Sequence, residues 1–356
     1  MTSKAAFPWR KIFQYFISLA AAMALLYWAF HDISFFQLWD NLAQVHWGYL
    51  LLSLGLGLAS HVVRAHRWAI LLHPLGHRPG LLPTFVAVMI AYLANLAVPR
   101  LGEVARCAFL QRKRGIPLAI GFGTVVTERI TDLLALLVLI GLMLIFEFNT
   151  LYTFFAEQFF PNPEGSLSPS TLLIGIVLMG ILVLASVIYW LRWRGGWAWI
   201  QTRPLYQRLA PTLRSFSDGL LSIRKLQRPW LFWWDTLLIW LLYFGMAYTV
   251  VLAFPPTAHL PWISGITILV VGGMGMAAPV QGGVGAYHLL VSNLLLIYGV
   301  SSLDGITFAT LMHTSQTLLV LVIGGLALFT GLFIRRHVNP THPTEDSIPD
   351  PGASPS

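Results

Sequence analysis

No lysine or arginine occurs in 12–63, 130–191 or 229–334. A soluble domain carries about 25% charged residues, whereas this 356-residue chain carries 10% and is 56% hydrophobic. Apolar runs of about 20 residues recur along the chain, each long enough to cross a hydrocarbon core of about 30 Å. A water-soluble globular enzyme is excluded. The pattern predicts an all-α polytopic membrane protein.

The cations fall between the runs. Lys4, Arg10 and Lys11 precede the first; Arg64, Arg67 and Arg78 follow the second; Arg112, Lys113 and Arg114 come next; eight more lie between Arg192 and Arg228; Arg335 and Arg336 end the last. The intervening loops carry Asp32, Asp40, Glu147, Glu157, Glu164 and Asp304 instead. Basic segments stay cytoplasmic, so both termini are expected inside. The net charge of +8 then reports topology and contact with anionic lipid headgroups, and nucleic acid is the weaker reading. Cys107 is the only cysteine, which excludes a disulfide framework or a cysteine metal cluster.

Full crossings are expected at about 12–30, 48–72, 118–146, 171–191, 231–254 and 305–334. Two further apolar runs break in the middle. The run 83–98 stops at Pro99-Arg100-Leu101-Gly102-Glu103 and returns to basic residues; the run 262–298 breaks at Pro279 through Gly285 and has no basic residue at either end. Each is read as a re-entrant hairpin, one from each face. Crossing, crossing, hairpin, crossing thus occurs twice, in halves of about 8–148 and 171–334, the second starting from the opposite side. Pairing 95–106 with 275–286 aligns Pro99 with Pro279 and Gly102 with Gly282. Inverted repeats with broken helices are a transporter architecture. The integral domain is expected to span 1–337, with a cytoplasmic segment at about 193–230. Its residues 205–226 have amphipathic helical spacing, which fits either the inner leaflet or the protein's own loops. The N-terminus lacks a cleavage site for a signal peptide, and 338–356 reads as a disordered cytoplasmic tail.

Charges within an apolar run cost about 2.5–3.5 kcal/mol each at mid-membrane. Glu128, Arg129 and Asp132 are three such charges, about 15 Å from the start of their crossing by helical rise. The spacing predicts that they pair among themselves, with Arg129 held by the two carboxylates. Arg100, Glu103 and Arg106 reach the same zone from the first hairpin. The break at Pro99 and Gly102 would leave backbone amides free for an anion, and guanidinium groups bind phosphate in bidentate fashion. The expected substrate site is therefore Arg100, Glu103, Arg106, Glu128, Arg129 and Asp132, around a lipid phosphate. Structural ion pairing and snorkelling to headgroups are the plainer alternatives.

Gly282, Gly283 and Gly285 permit positive φ and close backbone approach, but the segment lacks the Lys-Ser/Thr of a phosphate-binding loop. His288 and His313 are either satisfied core histidines or a proton-coupling pair. His61, His66, His73 and His77 cluster with no carboxylate among them. No metal site, cofactor or nucleophilic triad is expected.

Three motifs, Pro99 through Arg106, Glu128-Arg129-Ile130-Thr131-Asp132 and Pro279 through Gly285, together resemble the lysylphosphatidylglycerol synthase transmembrane (flippase-domain) family over about residues 8–335. Arg64-Ala65-His66-Arg67-Trp68 also looks like that family's basic segment after its second crossing. Where the family pattern has a Glu three residues past the last glycine, this chain has His288. A stand-alone member without the aminoacyl-transferase domain is implied, placed in the bacterial inner membrane. The resemblance implies lipid translocation without lipid aminoacylation, with anionic membrane lipids as partners. An integral-membrane enzyme acting on a lipid phosphate, with Glu103 or Asp132 as base, and a non-catalytic subunit of an envelope-assembly complex are the rival readings.

Overall fold

The computed structural model describes residues 23, 24, 26, 27, 35–147, 218, 219, 221–278 and 280–335. Most of the expected crossing at 12–30, the crossing at 171–191, most of the amphipathic segment, the tail at 338–356 and Pro279 lie outside the described residues. Every described element is a helix. In chain order these are α1 (Phe35–Ala43), α2 (Trp47–Leu72), α3 (Leu81–Ala97), α4 (Leu101–Arg114), α5 (Leu118–Phe146), α6 (Pro229–Ala253), α7 (Ile263–Ala277), α8 (Ala286–Ile297) and α9 (Ser302–Phe333), with short 3-10 turns between some of them.

Four of these are long and apolar enough to cross a membrane: α2 with the turn after it, α5, α6 and α9. Their bounds lie within three residues of the runs read from the sequence. The helix ends follow local chemistry. Pro229 opens α6 at the first helical position, where a missing N–H costs nothing. Ser301 caps α9 by accepting the Asp304 N–H at 3.1 Å, and Gly115 closes α4 in the left-handed conformation at φ 67°. The last turn of α4 carries Arg112, Lys113 and Arg114, the sign that a helix C-terminus favours. Trp47, Trp230 and Trp262 stand exposed at helix ends, as an interfacial aromatic belt does.

The helix α1 lies between the first two runs, where the sequence predicts a loop carrying Asp32 and Asp40. It packs on α9, and Asn41 Nδ2 donates to Asp304 Oδ1 at 2.9 Å.

The two broken runs fold as two short antiparallel helix pairs. In the first, α3 and α4 lie against each other, with Val98 extended and Arg100 in the left-handed region at φ 65°. The second pairs α7 with α8 across 278–285. Around the first pair, Trp68, Leu72, Val88, Leu110 and Val125 form one core with α2 and α5. Around the second, Val251, Phe254, Ile268, Val291, Leu295 and Phe308 form another with α6 and α9. The long α2–α6 contact, and Val86 and Met89 against Ala327, join them. The outward side of α5 keeps Leu133, Leu134, Leu137 and Val138 exposed, a surface matched to acyl chains.

Candidate functional site

Three helices bring their charges to one buried locus. On α2, Arg64 and Arg67 are three residues apart and share a face. On α5, Glu128 and Asp132 are four apart and also share one. Asp132 Oδ2 accepts from Arg64 Nη1 at 2.9 Å, and its Oδ1 accepts from Arg67 Nη2 at 2.7 Å. Glu128 Oε2 accepts from Arg106 Nη1 of α4 at 2.8 Å, and its Oε1 lies 3.6 Å from Arg67 Nη2. At the margin, Arg129 Nη2 donates to Glu103 Oε1 at 2.7 Å, with the Arg129 side chain 53% exposed.

This pairing corrects the expectation that Glu128, Arg129 and Asp132 pair among themselves. Residues on one helix at that spacing can meet, but better partners stand on facing helices, and Arg129 turns away to Glu103. Arg64 and Arg67 are the functional candidates the sequence reading missed. The charge map predicts interface cations after the second run, whereas both are buried within α2. The signal was available: carboxylates in an apolar helix need cations from neighbouring helices, and two arginines three apart within the second apolar run share a face that can supply them.

The rest of α2 and α6 holds the arginines in place. Arg67 Nη1 donates to Thr236 Oγ1 at 3.2 Å and Arg64 Nε to Tyr243 Oη at 3.3 Å. The Arg106 guanidinium carbon lies 4.6 Å from the Trp68 ring centroid, and Trp68 Nε1 is fixed by Thr124 Oγ1 at 3.0 Å. Removing charges from water costs several kcal/mol per ion, which only close pairing offsets. Even so, Arg106 Nε and Nη2, Glu103 Oε2 and Arg67 Nε are buried without a hydrogen-bond partner. A small cleft is lined by Arg106 and Glu103 together with Arg64, Tyr92, Asn95 and Arg129.

Arg100 is exposed and is not among the residues lining this cleft. The start of α4 is also less open to an anion than expected. Leu101 N–H goes to Val98 O at 3.2 Å, and Gly102 N–H to Asn95 Oδ1 at 2.6 Å. Gly102 itself sits where a Cβ would strike Ala91 O and the Asn95 amide, so the close approach of α4 to α3 requires glycine.

At the second break, Gly282, Gly283 and Gly285 have φ of 58°, 72° and 81°. The two breaks touch: a Cβ on Gly282 would stand 3.4 Å from Leu96 near the end of α3. His313 Nε2 lies 2.8 Å from Gly282 O, and Gly285 N–H reaches His288 Nδ1 at 3.4 Å. The two imidazole centroids are 4.9 Å apart. Of the four histidines near the end of α2, His66 meets a carboxylate from another helix: its Nδ1 lies 2.7 Å from Asp235 Oδ2 of α6. Among the described residues no group of three or more His, Cys, Asp or Glu could hold a metal.

Compared with known proteins, residues 15–324 match the family model described as the lysylphosphatidylglycerol synthase TM region. No curated protein and no solved structure matches the chain significantly.

Proposed function

The chain belongs to the lysylphosphatidylglycerol synthase TM region family, and from that premise we propose that it is a lipid translocase, carrying a phosphate-bearing lipid or lipid-linked intermediate between the leaflets of a bacterial inner membrane. The observation that carries this reading is the charge cluster: four arginines and three carboxylates joined by ion pairs among α2, α4 and α5, bordering a small cleft. A headgroup phosphate in hydrocarbon must be met by counter-charge along its path. Arg106 and Arg129 would receive it, with Arg100 at the rim. Glu103, Glu128 and Asp132 orient the guanidinium groups and compete for them, which keeps binding weak enough for release.

The helix pairs α3–α4 and α7–α8 act as re-entrant hairpins from opposite faces, within six crossings arranged as an inverted repeat and with both termini cytoplasmic. Contact between Gly282 and Leu96 supports a meeting of the two breaks near mid-membrane, where Pro99, Gly102, Pro279, Gly282, Gly283 and Gly285 allow movement. His288 and His313, beside the second break, are the candidates for coupling to protons. Of the two carboxylates an enzyme reading would use as base, Asp132 has both oxygens engaged by arginines, whereas Glu103 keeps Oε2 without a partner.

The test is translocation of a fluorescent anionic lipid by the purified protein in liposomes. Wild type should relax leaflet asymmetry, and Arg106→Ala and Arg129→Ala should not. Equal rates for all three, across several anionic lipids, reject the reading.

A further inference from the structure

One buried imidazole beside the charge cluster takes no part in the ion pairs. His61 lies on α2 with 7% exposure, and its Nδ1 is buried without a hydrogen-bond partner. Arg64 follows three residues on, so the two side chains share a face of the helix. The Tyr92 ring of α3 packs on the imidazole with centroids 4.5 Å apart. Tyr92 and Arg64 both line the cleft, which sets His61 one side chain back from it. A buried polar atom left unpaired is destabilising, and a leucine would fill the space without that cost. By contrast, His66, His288 and His313 each have a ring nitrogen engaged, by Asp235, by the Gly285 N–H and by Gly282 O.

The surroundings decide when a proton can sit there. Arg64 is on the same helix, Tyr92 on α3, and Tyr243 of α6 accepts from Arg64 Nε at 3.3 Å. Beyond Arg64 stands its partner Asp132 of α5 at 2.9 Å. Helix α9 presents Gln316 to this stretch of α2, against Ser53 and Gly57, and an amide does not titrate. An imidazolium at His61 stands one turn from a guanidinium, and like charges in a low-dielectric interior repel. The cluster already carries one positive charge in excess, with Arg64, Arg67, Arg106 and Arg129 against Glu103, Glu128 and Asp132. A monoanion entering the cleft cancels that excess. A proton on His61 then returns the site to its original charge.

Resting on the translocase reading, we infer that His61 is a proton site coupled to the cleft: each anion that enters brings one proton from water onto His61 Nδ1, and that proton leaves when the anion leaves. Histidine is the side chain whose charge ordinarily changes between pH 5 and 8. The coupling is reciprocal, so the anion favours the proton by the same factor as the proton favours the anion. A monoanion carried with a proton moves no net charge across the membrane. His61 thus joins His288 and His313 as a coupling group, with the difference that it stands at the charge cluster and meets the field of the anion there.

Calorimetric titration of the full-length protein in detergent tests this, with short-chain phosphatidylglycerol as the probe because its own charge stays constant across the histidine range. Titrations in two buffers of different ionisation heat count the protons. Wild type should take up about one proton per lipid bound, and its affinity should fall about tenfold per pH unit where that uptake is complete. His61→Asn and His61→Gln keep a polar side chain that cannot titrate. Both should unfold thermally as cooperative proteins and bind the probe with no proton uptake and an affinity flat in pH. In liposomes, a pH gradient should drive wild-type translocation of a fluorescent anionic lipid while an electrical potential should not; for His61→Gln the potential should act and the gradient should not. Wild-type binding without proton uptake, no binding at all, or equal uptake by either variant overturns the inference. Translocation without proton uptake removes the coupling and leaves transport standing; proton uptake without translocation does the reverse.

Discussion

Arg106 and Glu128, 22 residues apart in the chain, meet at 2.8 Å with side chains 4% and 0% exposed. Removing one member of such a pair strands the other, which costs about 3–5 kcal/mol. Glu128→Ala should lower unfolding stability in detergent by about that amount. The double variant Arg106→Met, Glu128→Leu should recover most of the loss, because apolar groups of similar volume remove both charges. A Glu128→Ala protein as stable as wild type would show that water or lipid already reaches the pair.

Arg129 makes the opposite prediction. Its side chain is half exposed and ion-pairs with Glu103, and exposed pairs are worth about 1 kcal/mol or less. Arg129→Ala should therefore unfold close to wild type while losing lipid translocation. Arg129→Lys should lose it too, since an ammonium offers a point charge without a bidentate edge. Full transport by the Lys variant would reduce Arg129 to a counter-ion for Glu103.

These two arginines mark how far the sequence could be read. Helix α5 and its charged residues were legible because hydropathy fixes a span, and an ion inside a span stands out against it. The breaks at Pro99 and at Gly282 were legible as breaks because proline and glycine act on their own backbone. Partner choice was not. Helical spacing places Glu128, Arg129 and Asp132 near one another, but which arginine reaches Asp132 depends on how α2 rotates against α5, and that rotation is set by the Trp68 core and the α6 contact. For the same reason Arg64 and Arg67 read as end-of-span cations: a basic cluster near a span terminus looks alike whether it faces headgroups or the bundle.

Gly102 offers a test of packing at the first break. A methyl group there would meet the Ala91 carbonyl oxygen, which cannot swing aside, and both terminal atoms of the Asn95 amide at 2.7 Å. Gly102→Ala should cost about 3 kcal/mol, the upper end of overpacking, and should disturb the hydrogen bond from Gly102 N–H to Asn95. Gly141, within the last two turns of α5, has nothing within 4 Å of its would-be methyl. Gly141→Ala should be neutral or stabilising by up to about 1 kcal/mol, the helix propensity gain. Thermal unfolding of the two variants side by side separates a backbone contact from a general sensitivity of membrane glycines.

Orientation in the membrane follows from the charge map and can be checked at two exposed positions. Lys225 lies just before α6 in the basic stretch and Ser302 at the start of α9. The two helices α6 and α9 each have the length to cross, and Arg335 and Arg336 follow the end of α9. Basic segments are retained in the cytoplasm, so α6 should begin inside and α9 outside. In a Cys107→Ser background, Ser302→Cys should react with a membrane-impermeant maleimide in intact cells, and Lys225→Cys only after the membrane is opened. Cys107 is 2% exposed, so its replacement removes background labelling without touching the surface. Labelling of Lys225→Cys from outside would invert the orientation. It would also place the Arg129–Glu103 pair nearer the outer leaflet, where a headgroup would leave the cleft instead of entering it.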